Sequence, residues 1–214
     1  MSHGRGKDDL LGETAKTYLR ELWIKEVFGR EKYDTVNKYT IKGIMVESDS
    51  LQLVSDLTKK SLFKNTKFLE NAFVCGTPDV TEPLIDIKSS WDIWSFFNVV
   101  DEKKARADYY WQLVGYMNLL RRRSSRLIYV LVDTPPEISS DELYRLSYKL
   151  NEEQVKKAEN TFIYSDIEPK YRIKVFKFTM GKKERIELEN QVIAARDYLV
   201  YLDCQLQKNI KLRL

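Results

Sequence analysis

The spacing of apolar positions changes period several times along the chain, and each change marks an element. From Leu10 through Leu11, Ala15, Tyr18, Leu22 and Val27 the spacing is helical, and Gly29 offers a favourable C-cap. Met1–Asp9 is polar and reads as a loose end, and a polar loop, Arg30–Thr40, follows the helix. A second helix is predicted over Ile41–Thr58, its stripe running Ile44, Leu51, Val54. Two short strands come next, Phe73–Pro78 and Leu84–Ser89, joined tightly through Val80, Thr81, Glu82 and Pro83. A long helix, Ala105–Leu120, carries Tyr109, Leu113, Tyr116 and Leu120 on one stripe. Leu127–Val132 is a continuous apolar run, as expected of a central strand, and Pro135-Pro136 stops it.

The pattern from Ser139 to about Thr161 is helical and charged, with Ser139 or Ser140 as its cap. Ile173–Phe178 alternates as a strand with apolar residues on both faces, so the pattern does not say which face meets the core. Residues 184–208 carry Leu188, Val192, Ala195, Leu199, Leu202 and Leu206 at spacings of four and three, a long amphipathic helix. The order of helices and strands predicts an α/β fold: a small mixed sheet flanked by helices. At 214 residues one domain with a full core is expected, residues 40–135 holding its chemistry.

Charge adds little by itself. Thirty-six basic against thirty-two acidic residues leave a net +4, which permits a basic groove without requiring one. Cys75 and Cys204 are two isolated cysteines, too few for a disulfide framework, a zinc ribbon or the four thiolates of an iron–sulfur cluster. No membrane-length apolar run and no signal peptide is visible, so a soluble protein of the cytoplasm is expected.

The candidate chemistry gathers on the second short strand. Leu84, Asp86 and Lys88 share one face and Ile85 and Ile87 the other, and the turn returns Asp79 beside them. Two carboxylates and a lysine on one sheet edge suit a metal-dependent hydrolytic site. A cross-strand ion pair on a solvated face is the plainer alternative. The triplets at Asp101, Glu102 and Glu168 share the acid-x-lysine or similar spacing, but none lies in an apolar alternating strand. Glu47 falls between Ile44 and Leu51 on an apolar stripe, where a cation or a buried salt bridge must answer its charge. Gln112 and Tyr116, four apart, share a helix face.

Outside that cluster, Trp91 and Trp94 follow Lys88 in an aromatic run and are candidates to stack on a base. Arg121, Arg122, Arg123 and Arg126 put four guanidiniums in six positions, more than a helix C-terminus needs, and read as a phosphate-tracking patch. Lys59, Lys60, Lys64 and Lys67 read as a solvated basic connection.

Gly76-Thr77-Pro78-Asp79, Asp86-Ile87-Lys88 and Gln112-Leu113-Val114-Gly115-Tyr116 together resemble the PD-(D/E)XK nucleases, and more closely their RecB-like and lambda-exonuclease (YqaJ-like viral recombinase) branch. Lys42-Gly43-Ile44-Met45-Val46-Glu47 is similar to that branch's first motif. The resemblance implies a restriction-endonuclease-like core in which Glu47, Asp79, Asp86 and the carbonyl of Ile87 ligate Mg2+, or Mn2+ in its place. Lys88 would orient or deprotonate the water, and Gln112 and Tyr116 would steady the site and touch DNA. It implies a double-strand DNA exonuclease resecting ends for phage-type recombination, with a single-strand annealing recombinase as partner and a ring trimer as assembly. An endonuclease of the same fold, restriction-like or junction-cutting, and a non-catalytic DNA-end scaffold are the competing readings. Asp86 departs from the glutamate more frequent in the branch. The first motif also lacks the histidine of many relatives; the one histidine is His3.

Overall fold

A computed structural model describes residues 10–33 and 37–211. His3 and the segment expected to be loose, Met1–Asp9, lie outside the described residues. The chain divides into two compact units, residues 1–35 with 181–214 and residues 36–180.

In the first unit α1 (Glu13–Phe28) packs along α8 (Lys182–Lys211). Gly29 closes α1 in the left-handed conformation at φ 61°, its N–H on the Lys25 carbonyl, which is the stop expected of it. Trp23 Nε1 donates to Asp203 Oδ1 at 2.7 Å. The stripe expected on α1 is only partly inward, for Tyr18, Leu22 and Val27 are exposed.

The second unit begins with a correction. The single helix expected over Ile41–Thr58 is two, α2 (Lys38–Met45) and α3 (Glu47–Thr58), broken at Val46. Ile44 points to solvent, while Lys42 and Val46 are almost wholly buried. The apolar side of α2 therefore includes a lysine, and the stripe that seemed to flank Glu47 does not continue across the break. Glu47 instead opens α3, where a carboxylate complements the helix dipole.

Two sheets follow among the described residues. The expected strand Phe73–Pro78 is not half of a hairpin with Leu84–Ser89: β2 (Cys75–Gly76) pairs with β1 (Leu69–Glu70) as a separate ribbon. The hairpin partner is β3 (Val80–Thr81), which turns through Glu82-Pro83 into β4 (Leu84–Ser89). Across α4 (Ile93–Asn98) and α5 (Glu102–Leu119), β5 (Ser124–Val130) joins β4 in parallel, and β6 (Ile173–Thr179) closes the sheet antiparallel to β5. The strand order is β3-β4-β5-β6, a small mixed sheet flanked by helices. β3 pairs with β4 only up to Ile85, so the rest of β4 is an open edge.

One face of the sheet, Ile85, Ile128 and Val130, packs on Val46 and Val54. The other, Leu127, Tyr129 and Phe178, meets α5, with Tyr110 against Phe178 at 5.8 Å between ring centres. On β6 it is Phe178 that is buried on the α5 side, while Ile173 packs against the opposite cluster. The helix expected from Ser139 is also two, α6 (Pro136–Ser147) and α7 (Glu152–Glu159). α6 starts at Pro136, a proline at a position where its missing N–H is harmless.

Candidate active site

Alternation along β4 sends Ile85 and Ile87 to the α3 side and Asp86 and Lys88 to the α5 side. Asp86 is 1% exposed, and its Oδ2 lies 2.8 Å from Lys88 Nζ. Burial raises the Asp86 pKa to about 6, Lys88 opposing the shift and Asp79 adding to it. Burial alone would lower the Lys88 pKa, but the charge and hydrogen bond of Asp86, with help from Asp79, carry it upward. The ammonium therefore stays charged.

Asp79 is placed from two sides. The Ile87 N–H donates to its Oδ2 at 2.7 Å, and the Asn65 N–H donates to its backbone carbonyl at 2.7 Å. Asn65 Nδ2 also reaches the Pro78 carbonyl at 3.0 Å. Burial raises the Asp79 pKa, while the Ile87 N–H and Lys88 pull it down.

From α5, Gln112 Nε2 donates to Tyr116 Oη at 3.0 Å and approaches Asp86 Oδ1 at 3.5 Å. The core side of α5 is Tyr110, Leu113, Val114 and Met117, so Tyr109, Gln112 and Tyr116 form its rim toward the site. Tyr109 faces Lys88, whose Nζ lies 4.9 Å from the ring centre. The stripe on this helix makes Tyr109 a core residue by period alone, whereas it faces the site; its signal is the seven-residue spacing to Tyr116. Gly76 has a specific reason to lack a side chain, since a Cβ there would stand 3.0 Å from Tyr116 Cε1.

Glu47 is brought near but not into the same cluster. Its Oε2 pairs with Lys64 Nζ at 2.5 Å, and Lys64 stays exposed as its basic connection suggested, with an ion partner that spacing did not show. Among the described residues no three acidic side chains converge as a ready ligand set. The donor chemistry nonetheless suits a hard cation. Asp86 Oδ2 is buried and, apart from its ion contact with Lys88, accepts no hydrogen bond of good geometry. Asp79 stands close enough to raise its pKa further. A divalent ion would answer both carboxylates, which are oxygen donors of the hard kind.

The aromatic run after Lys88 is a helix that period alone did not reveal. Asp92 and Ser95 form a reciprocal capping box at the start of α4. Lys174 closes its far end, Nζ donating to the carbonyls of Phe96 at 2.8 Å and Val99 at 2.9 Å. Trp91 is half-buried, edge-on to Tyr39 at 4.9 Å, and its carbonyl accepts from Lys42 Nζ at 2.6 Å. Burial lowers the Lys42 pKa to about 8, with Asp92 and Asp133 resisting. Trp94 is exposed. Both tryptophans, with Lys88 and Tyr109, line a cavity of about 520 Å³ that opens beside the site.

The four arginines are all exposed, in different local settings. Arg121, just past the end of α5, is in the left-handed conformation, Arg122 pairs with Glu82 at 3.1 Å, and the Arg123 carbonyl accepts from the Met180 N–H. Arg126 lies on β5 directly opposite Lys177. Of the four, Arg122 and Arg126 line a common cleft.

No family model and no curated protein matches the chain. Solved structures do. The phage-related exonuclease of Haemophilus somnus 129PT superposes with a TM-score of 0.78 at 28% identity, over 96% of this chain and 91% of that one. The motifs and the fold agree. The chain has the fold of the lambda-exonuclease-like branch of PD-(D/E)XK proteins. The alkaline exonuclease LHK-Exo of Laribacter hongkongensis shares it at 14% identity and TM-score 0.64, over 94% of this chain and 88% of its own. The same protein in complex with dAMP gives 15% and 0.60, over 92% of this chain and 86% of its own. Among the described residues no helix is long and apolar enough to cross a membrane.

Proposed function

We propose that this protein is a metal-dependent DNA exonuclease that acts at duplex ends. The observation that carries the reading is the buried Asp86–Lys88 pair beside Asp79, on the open edge of β4, in a chain that shares its fold with exonucleases. Asp79, Asp86, the carbonyl of Ile87 and Glu47, once released from Lys64, would hold Mg2+, with Mn2+ able to replace it. When bound, the ion would supply positive charge to the phosphate and make water a better nucleophile at neutral pH.

The chain's own groups do the rest. Lys88, kept charged by Asp86, acts as a donor that orients the attacking water and a phosphate oxygen. Gln112 bridges Tyr116 and Asp86 and so holds the carboxylate's orientation. Trp91 and Trp94 supply the wall against which a terminal base stacks. The setting is the host cytoplasm and phage-type recombination, with a single-strand annealing recombinase as partner and a ring of three subunits as assembly.

The test is nucleotide release from linear duplex beside covalently closed circles, with Mg2+ and with chelator. Release from the linear form alone, lost with chelator and in Lys88→Ala, is expected. Cutting of circles would replace the exonuclease reading with an endonuclease. DNA binding without any cutting would leave a scaffold.

A further inference from the structure

Like charges directly opposite on neighbouring strands repel, and sheets avoid them unless something answers the charge. Arg126 on β5 and Lys177 on β6 are such a pair, and both are exposed. Neither has a carboxylate partner among the described residues. They line a cleft of about 420 Å³ with Lys60 and Arg122. The acid among the lining residues is Glu82, in contact with Arg122 at 3.1 Å. Four cations thus meet one carboxylate.

The backbone contributes to this arrangement. Among the described residues two non-glycine residues have positive φ, Lys59 at 52° and Arg121 at 53°. Each directly precedes a cation of the cleft, Lys60 after α3 and Arg122 after α5. A left-handed residue is unfavourable for a side chain with a Cβ, and glycine is the usual solution at a helix end. Here both turns carry a basic residue instead. Helix C-termini favour cations, which accounts for part of the charge at Lys60 and Arg122. It does not account for Arg126 and Lys177, which stand on strands.

Side-chain alternation puts the strand pair on the sheet face away from the reacting groups. Arg126 is in register with Ile85, and Ile85 packs toward α3, whereas Asp86 and Lys88 turn toward α5. We propose that Lys60, Arg122, Arg126 and Lys177 form a second anchor that binds the backbone phosphates of a nucleic-acid strand, separate from the point of cleavage. Guanidinium and ammonium groups set around an open cleft grip successive phosphates without reading sequence. The assignment rests on the exonuclease reading for its purpose, though not for its chemistry. It narrows the arginine patch to Arg122 and Arg126 and adds two lysines that sequence left in solvent or on a strand.

The test is binding of a labelled linear duplex by the full chain, in chelator so that nothing is cut, over a range of salt. Arg126→Ala/Lys177→Ala is compared with Lys149→Ala/Lys156→Ala, which removes the same charge from exposed sites elsewhere in the same unit. The cleft variant is expected to bind roughly tenfold more weakly near physiological salt, with a salt dependence shallower by about two phosphate contacts. Lys177→Glu separates binding from folding: it turns a repulsive pair into an attractive one, so its melting temperature should rise while its affinity falls. Equal losses in the two double variants, or a loss without a change in salt dependence, would overturn the anchor. So would a cleft that binds a polyglutamate peptide and leaves duplex affinity untouched. Nucleotide release by the wild-type chain is measured alongside. Binding through the cleft with no release keeps the anchor and removes the exonuclease, and release with unaltered affinity in the cleft variant does the reverse.

Discussion

Lys42 and Lys88 are two lysines withdrawn from water in the same unit, with opposite results. Lys88 stands against a carboxylate 2.8 Å away, and its pKa rises despite burial. Lys42 stands against the Trp91 carbonyl, with Asp92 and Asp133 acting only through space, and its pKa falls to about 8. A full opposite charge at contact outweighs desolvation; a carbonyl dipole does not. The first arrangement keeps an ammonium ready for chemistry. The second uses an ammonium as a structural donor beneath the loop that carries Trp91, at a cost in folding stability that depends on pH.

The largest test of that contrast is to remove the carboxylate. Asp86→Asn should lower nucleotide release by about 10²–10³-fold, in line with the loss of one preorganised group at a reaction centre, while the circular dichroism spectrum stays that of the wild type. Cleavage at wild-type rate would put the site elsewhere.

Next comes the pH dependence of Lys42. Its folded pKa lies below its unfolded value of 10.5, so between about 8 and 10.5 the unfolded chain binds more protons. Stability from this group therefore rises with pH across that window. By pH 9.5 the gain should be on the order of 2 kcal/mol. Urea midpoints of wild type and Lys42→Met at pH 7.5 and 9.5 measure it as a difference that other titrating groups share. A constant difference would mean that Lys42 keeps its proton.

Smaller again is the pair Lys64–Glu47, whose side chains are 51% and 32% exposed. Lys64→Ala removes a competitor for Glu47, and half-maximal activity should need a few-fold less Mg2+, as fits an interaction worth about 0–1 kcal/mol. A rise in the Mg2+ requirement would make Lys64 part of the site. The smallest effect is at Arg126 and Lys177, where Lys177→Thr should stabilise the sheet by about 0.2–1 kcal/mol in thermal unfolding.

What could be seen in advance was local. Asp86 and Lys88 were legible because a strand alternates, and Gln112 and Tyr116 because a helix repeats. The order of strands and helices was enough for a mixed sheet with the later strand at its centre. The misreadings have physical causes. No proline marks the break at Val46, the nearest glycine is Gly43 inside α2, and a buried lysine at position 42 hides the inward side of α2 from any apolar count. α4 is too short for its period to register, yet Asp92 and Ser95 had already marked its start. Pro136 stops the apolar run of a strand and also begins a helix, two roles that one proline carries at once. The Lys64–Glu47 and Arg126–Lys177 pairings lie between residues far apart in the chain, where spacing carries no information.

The lysine at the end of α4 has a wider consequence. Lys174 belongs to β6, yet it holds two carbonyls at the end of the six-residue helix that carries Trp94. It works as a tether from one edge of the sheet to the aromatic run beside the other, tying the position of α4 to that of β6. On the proposed reading of Trp94 as a stacking wall, a strain placed on that strand would reach the wall without touching Asp86 or Lys88.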